Sequence, residues 1–130
     1  MRFLSVYSHP ETGLPPSQEE MERMGKLVEE GMKAGYLLAV EGCLPSAMGA
    51  RVRRDKDGIS VTDGPFVESK ELIGGFAILQ ADSREQAIEY VKKFLRAAGE
   101  GVCELRPLYD ENTCMDACEP AGELTANEAS

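Results

Sequence analysis

Apolar residues recur along this chain with two periods, and one of them predicts two helices. The four-residue capping box that begins at Ser17 and ends at Glu20 marks a helix start. Apolar residues at helical spacing follow it and predict a helix over about residues 18–34, namely Met21, Met24, Val28, Met32 and Ala34. A second capping box at residues 83–86 begins another amphipathic helix, which Gly99 closes.

Shorter apolar runs predict the strands. Four of them are expected, at residues 1–7, 36–43, 72–79 and 102–108. Between the second and third, Asp57-Gly58 is a strong hairpin signal, so a two-stranded hairpin is predicted from residues 50–54 and 59–62.

Without the hairpin, the elements run β-α-β-β-α-β. This order predicts an α+β fold of the ferredoxin-like kind, with two helices on one face of an antiparallel sheet and the β-hairpin as an insertion. The strands at 1–7 and 72–79 place apolar groups on both of their faces, whereas the helices cover only one. We therefore expect a homodimer in which two sheets pack face to face.

Charge divides the chain into two parts. The formal net charge is −9, and residues 109–130 carry six acidic residues without a Lys or Arg, so residues 1–108 carry −9 + 6 = −3. One domain over 1–108 and an acidic tail over 109–130 are predicted. An acidic protein repels phosphate backbones, so nucleic-acid binding is not expected.

Hydropathy and sequence motifs indicate where the protein is found and whether it binds a cofactor or a metal. No apolar window is long enough to span a bilayer and no secretory signal is recognisable, so a cytoplasmic protein without membrane contact is expected. No phosphate-binding glycine motif occurs, and Cys114 and Cys118 lie far in sequence from the lone histidine, so neither cofactor nor metal is predicted. Cys43 and Cys103 fall in apolar runs, where buried free thiols are expected.

The segment Asp63-Gly64-Pro65-Phe66 allows two interpretations. It is either a stiff turn that inserts Phe66 into the core, or a stiff turn that aims Asp63 into a pocket as a general base. His9 is the second catalytic candidate, since its unperturbed pKa lies near neutrality, and it is expected in the loop after the first strand.

The ligand-binding candidates are polar residues near strand ends. Glu41 lies late in the apolar second strand, so its carboxylate must be paired or solvated. Ser46 either caps a turn or donates a hydrogen bond to a ligand. Glu104 and Arg106 are two residues apart on the last strand and share a face, so they can form an ion pair, or Arg106 can bind an anionic ligand. The predicted ligand-binding set is Glu41, Ser46, Asp63, Glu104 and Arg106. Gly74-Gly75, inside an apolar strand, predicts a bulge or a close backbone approach.

Several of these segments together resemble the YCII-related family, in the branch named for its D-G-P-F motif. They are residues 38–46, which include Glu41-Gly42, then 62–71 around the motif itself, Ile73-Gly74-Gly75-Phe76, and Glu104-Leu105-Arg106-Pro107. The resemblance covers about residues 1–108. It implies a dimeric α+β barrel with a polar cleft between sheet and helices.

The resemblance also frames the function without fixing an activity. Some relatives use a histidine on the first helix with an aspartate for acid–base chemistry, but residues 18–34 contain no histidine here. We expect a protein that binds a small molecule in the cleft of a homodimer, with or without acid–base catalysis. The alternative is a non-catalytic regulatory or interaction module connected with transcription initiation.

Overall fold

A computed structural model describes residues 1–11, 14–66 and 71–110, and these form an α+β domain with antiparallel sheets and two helices. The elements in chain order are β1 Arg2–His9, α1 Gln18–Ala34, β2 Leu37–Gly42, a 3-10 turn at Ser46–Met48, β3 Ala50–Asp55, β4 Gly58–Asp63, β5 Leu72–Gln80, α2 Arg84–Ala98 and β6 Val102–Pro107. The element types and their order are those predicted. The predicted tail, apart from Tyr109 and Asp110, lies outside the described residues, as do Cys114 and Cys118.

Four strands form the main sheet in the order β2-β5-β1-β6, and every neighbouring pair is antiparallel. The central strand β1 therefore pairs with β5 on one side and with β6 on the other. β3 and β4 form a separate two-stranded sheet. This hairpin is inserted between β2 and β5, as the Asp57-Gly58 turn predicted, with Asp55 opposite Gly58.

The core lies on the face of the sheet that the helices cover. Phe3 is 1% exposed and pairs across the sheet with Leu79, which is 5% exposed. Ala87 of α2 is fully buried against them, and half-buried apolar side chains surround this centre, including Tyr36, Leu37, Ala77, Tyr90, Val91 and Leu105. Tyr36 and Tyr90 stack with centroids 3.9 Å apart, which joins the start of β2 to α2.

Both helices begin and end at the predicted residues. The Ser17 hydroxyl accepts a hydrogen bond from the Glu20 amide at 3.1 Å, and Ser83 accepts one from the Gln86 amide at the same distance. Gly35 ends α1 in the left-handed conformation, with φ 86°, and its amide donates to the carbonyl groups of Gly31 and Met32.

The opposite face of the sheet, which we call the outer face, has no helix over it within residues 1–11, 14–66 and 71–110. Apolar side chains on this face are largely exposed: Leu38 is 47% exposed, Ile73 57%, Phe76 37% and Val102 52%. Leu4, Val6 and Ile78 lie among them, half-buried. The apolar groups on both faces of β1 and β5 are thus those that the sequence predicted.

Two glycines of α1 test how tightly this helix packs. A Cβ atom at Gly31 would lie 2.9 Å from Leu37 Cβ and 3.2 Å from the Tyr36 ring, whereas one at Gly25 would meet nothing within 4 Å. Gly25→Ala should raise the free energy of unfolding by about 1 kcal/mol, because alanine favours the helix. Gly31→Ala should lower it by roughly 1–3 kcal/mol through overpacking.

Urea denaturation of both variants and the wild type measures these differences. Stabilisation by Gly31→Ala equal to that by Gly25→Ala would contradict the close packing of α1 on the start of β2.

Candidate functional site

His9 is the last residue of β1 and pairs with Leu72 of β5, so its predicted place in a loop is wrong. It lies half-buried, and its ring stacks on Tyr7 with centroids 5.1 Å apart and planes inclined by 27°. Tyr7 in turn meets the Phe94 ring edge-on at 5.2 Å, and its hydroxyl donates to the Glu100 carbonyl at 2.8 Å. The strand continues two residues further than the apolar pattern suggested because pairing with β5 continues.

One ring nitrogen of His9 has a defined role. Nδ1 lies 2.8 Å from the carbonyl oxygen of Pro10. Since a carbonyl oxygen only accepts, this contact requires a proton on Nδ1. In the neutral imidazole, Nε2 then carries the lone pair and can accept a hydrogen bond or a proton.

A bulge in β5 makes room for the His9 ring. Tyr7 pairs with Gly75 and Ser8 pairs with Ile73, so Gly74 is the extra residue, which confirms the predicted bulge. A Cβ atom at Gly74 would lie 2.6 Å from both Nε2 and Cδ2 of His9. The absence of a side chain at this position therefore lets the imidazole lie against the β5 backbone.

Close backbone approach, the other prediction for the glycine pair, is found at Gly75. A Cβ atom there would lie 2.6 Å from the Glu41 carbonyl oxygen of the neighbouring strand. Next to it, the Cys43 amide donates to the Gly74 carbonyl at 2.8 Å. The chain leaving β2 is thereby held beside the bulge.

Glu11 joins the segment after β1 to the 3-10 turn. Its Oε2 accepts from the Ser46 amide and its Oε1 from the Ser46 hydroxyl, each at 2.7 Å. These bonds hold the pKa of the Glu11 carboxyl below its ordinary value of 4.5, the hydroxyl having the larger effect, and the charge of His9 lowers this pKa further. The Ser46 side chain therefore does not cap the 3-10 turn. Its hydroxyl and its amide both donate to Glu11.

The D-G-P-F turn packs against this same 3-10 turn. The Gly64 amide donates to the Gly49 carbonyl at 3.0 Å, and a Cβ atom at Gly64 would overlap the carbonyl oxygen of Ser46. Only glycine fits so close an approach. The Gly64–Pro65 peptide bond is cis.

Phe66 does not enter the core, which corrects one of the two interpretations of the motif. Its ring is half-buried, with the Arg51 guanidinium carbon 4.0 Å from its centroid. This contact is a cation–π interaction between the end of the motif and the first strand of the hairpin. The motif is nevertheless a tightly packed turn, held through Gly64.

Asp63 is the last residue of β4, opposite Ala50, and it is exposed. Three loops meet beside it: residues 10–11, the 3-10 turn and the D-G-P-F turn. Asp63 precedes Gly64, which packs against Ser46, and Ser46 is hydrogen-bonded to Glu11, two residues after His9. Its role as a general base stays a prediction.

The remaining predicted ligand-binding residues lie elsewhere. Glu41 is exposed on the outer face of β2, opposite Phe76, and is therefore solvated, as a carboxylate in that strand must be. Arg106 Nη1 lies 3.0 Å from Glu104 Oε2 on β6, which confirms that these two can pair. Because β2 and β6 are opposite edges of the sheet, Glu41 and Arg106 are separated by two strands and do not form one site with His9.

The two described cysteines differ in exposure. Cys43 is exposed, so its predicted burial is wrong: it follows the end of β2 instead of continuing that strand. Cys103 lies on the helix-covered face but is only half-buried, where a buried thiol was expected. Burial raises the pKa of its thiol, and a hydrogen bond with Ser5 offsets part of that rise. A thiol of this kind is protonated at neutral pH and weakly nucleophilic.

One concavity of the described residues lies away from the cleft expected between sheet and helices. A hollow of about 610 Å³ lies along the outer side of α1, lined by Glu19, Glu22, Arg23, Gly25, Lys26 and Glu29. None of the predicted site residues lines it, and its walls come from a single helix. It is a surface groove, and the polar cluster at the end of β1 is the better candidate site.

Glu11 is the member of the cluster that sequence reasoning missed. It stands in a Pro-rich segment, where an exposed acidic residue gives no sign of a partner 35 positions away. The signal in the sequence was indirect. Ser46 begins a short turn after Pro45, and a serine amide and hydroxyl side by side suit a carboxylate.

Comparison with known proteins shows the family. The model of the YCII-related domain matches residues 1–112. A protein of Rhizobium meliloti (strain 1021), described only as uncharacterized, is 31% identical over an alignment of 97 residues that covers 71% of this chain and 78% of that protein. The chain belongs to the YCII-related family. Within the part of the chain that the structure describes, no helix is long and apolar enough to cross a membrane.

The Glu11–Ser46 contact predicts a pH response. Because the pKa of Glu11 is lowered in the folded protein, the contact contributes stability above the unfolded pKa and loses it as the pH falls through the folded value. The Ser46 amide resonance, followed by NMR, should move with a midpoint below 4.5.

Glu11→Gln should abolish this titration, whereas Glu85→Gln, an exposed control on α2, should leave it unchanged. A Ser46 midpoint at or above 4.5, or one that Glu11→Gln leaves in place, would contradict the contact.

Proposed function

We propose that this protein is a member of the D-G-P-F branch of its family that binds a small molecule beside His9, as a homodimer of ferredoxin-like domains. The ligand it suits carries a hydroxyl or amide donor for Nε2. Proton transfer at Nε2 is the catalytic step that such a site could add. Branch membership is supported by the Asp63-Gly64-Pro65-Phe66 motif and by Gly64, which the fold requires.

The observation that carries the binding proposal is the state of the His9 ring. Nδ1 is engaged by the Pro10 carbonyl, so the neutral ring presents an acceptor at Nε2. The ring is fixed by stacking on Tyr7, and Gly74 leaves the space that it occupies. An imidazole held in one tautomer and one orientation, next to the ends of three loops, is suited to recognising a donor group.

The homodimer is supported by the outer face. The strand order β2-β5-β1-β6 with two helices on one side supports a ferredoxin-like domain, and within the described residues the other side is uncovered. Exposed Leu38, Ile73, Phe76 and Val102 would be removed from water by a second sheet. Glu41 and the Glu104–Arg106 pair lie at the edges of this face, where a polar rim is expected.

The binding proposal is tested on the imidazole itself, since the chain contains a single histidine. Isotope-labelled histidine gives one ring signal, which can be followed while small phenols, alcohols and benzamides are added. We expect a saturable shift with some of these probes, and a nitrogen spectrum that reports the Nδ1-protonated tautomer.

Two variants separate binding from nonspecific effects. Gly74→Ala should displace the ring and weaken the same probe about tenfold or more, because a misplaced acceptor loses its hydrogen bond. Gly25→Ala, on the far side of α1, should leave the affinity unchanged. If every probe leaves the signal in place, or Gly74→Ala binds like the wild type, the site is not at His9.

Assembly is tested with matched substitutions of exposed apolar residues. Phe76→Asp should raise the dimer dissociation constant by roughly 100-fold or more, since each subunit would bury an unpaired carboxylate. Met21→Asp, at an exposed apolar position on α1, should leave the dimer intact. Sedimentation equilibrium measures both; a wild-type chain that is monomeric at micromolar concentration would end the homodimer proposal.

A further inference from the structure

The β3–β4 hairpin has an apolar face that nothing in the described part of the chain covers. Val52 and Val61 are directly opposed, and Ile59 lies on the same side as both, paired with Arg54. They are 69%, 63% and 70% exposed. Three large aliphatic side chains gathered on one side of a surface hairpin are a contact surface, since scattered single exposures are the usual pattern.

The other face of the hairpin is polar, and a residue of the same chain, Phe66, contacts it. Arg51, Arg53, Ser60 and Thr62 alternate with the apolar residues, and Arg51 covers the Phe66 ring. The root of the hairpin is thus attached through its polar side. This attachment leaves the apolar side directed away from the segment that holds it.

The root itself is fixed. Gly64 packs against the Ser46 carbonyl and bonds to Gly49, and Ser46 is held twice by Glu11. A hairpin of two strands is at best marginally stable alone in water. A firm root combined with an uncovered apolar face indicates that the hairpin is completed by packing on another surface.

The charge of the hairpin favours one kind of surface. Residues 50–63 contain four basic residues and three acidic ones, a net charge of +1, so the rest of the chain carries −9 − 1 = −10. A slightly basic, apolar arm is complementary to the acidic remainder of a second copy of the same chain. The outer face of that copy also offers exposed apolar side chains.

We propose that the β3–β4 hairpin is an intermolecular arm, which packs through Val52, Ile59 and Val61 on the second subunit of the homodimer. This inference rests on the proposed homodimer and adds to it that each subunit reaches across to the other. The D-G-P-F turn then acts as the fixed root from which the arm extends.

A photo-cross-linking residue, benzoylphenylalanine, placed at Val61 of the full-length protein tests the arm. It is compared with the same residue at Thr62, on the polar face. Nitrogen-14 and nitrogen-15 chains are mixed and exchanged before irradiation, so that a bond between subunits joins one labelled and one unlabelled chain. We expect such mixed products from Val61 and far fewer from Thr62.

The substitution Val61→Asp gives a second measurement. It should weaken the dimer about tenfold or more, and Thr62→Asp by less than about threefold, because only the first places a charge in the apolar contact. Both chains should keep the circular dichroism of the wild type.

The outcomes separate the arm from the dimer. A wild-type dimer whose Val61 cross-links stay within one chain, or do not form, overturns the arm and leaves the homodimer standing. A monomeric wild type overturns both. Equal yields of mixed products from Val61 and Thr62 would show that the hairpin contacts the second subunit without preference for its apolar face. That result would also overturn the proposal.

Discussion

The structure depends on a sheet that the described helices cover on one face only. Phe3, Leu79 and Ala87 bury the covered face, and the same strands place Phe76 and Ile73 on the other. An apolar sheet face must be buried against another layer, and the described residues supply helices for one face only. The outer face, uncovered within the described residues, is the feature on which the proposed homodimer rests.

At one end of the same sheet, the loops are joined by backbone contacts that leave no room for side chains. Gly64 meets the Ser46 carbonyl, Gly74 makes room for the His9 ring, and Gly75 approaches the Glu41 carbonyl. Glu11 adds two hydrogen bonds to this arrangement. The result is a cluster whose geometry is set by close packing, although its residues are largely accessible to solvent.

Much of the fold was predictable because its signals are local. Capping boxes at Ser17 and Ser83 fixed the helix starts, and Asp57-Gly58 fixed the hairpin. The site was less predictable because it depends on register and on contacts across the chain. The separation of Glu41 from Arg106 follows from strand order, and the bond between Glu11 and Ser46 follows from how two loops meet. Neither leaves a periodic pattern in the sequence.

These features give the D-G-P-F motif a structural role that explains its composition. Gly64 is needed where the turn meets the Ser46 backbone, and Phe66 receives the Arg51 side chain at the root of the hairpin. Asp63 ends the strand that leads out of that hairpin. A turn built in this way sets the direction of the hairpin relative to the sheet. The motif therefore links the polar cluster at His9 to the apolar face of Val52 and Val61, because both are anchored on the same 3-10 turn.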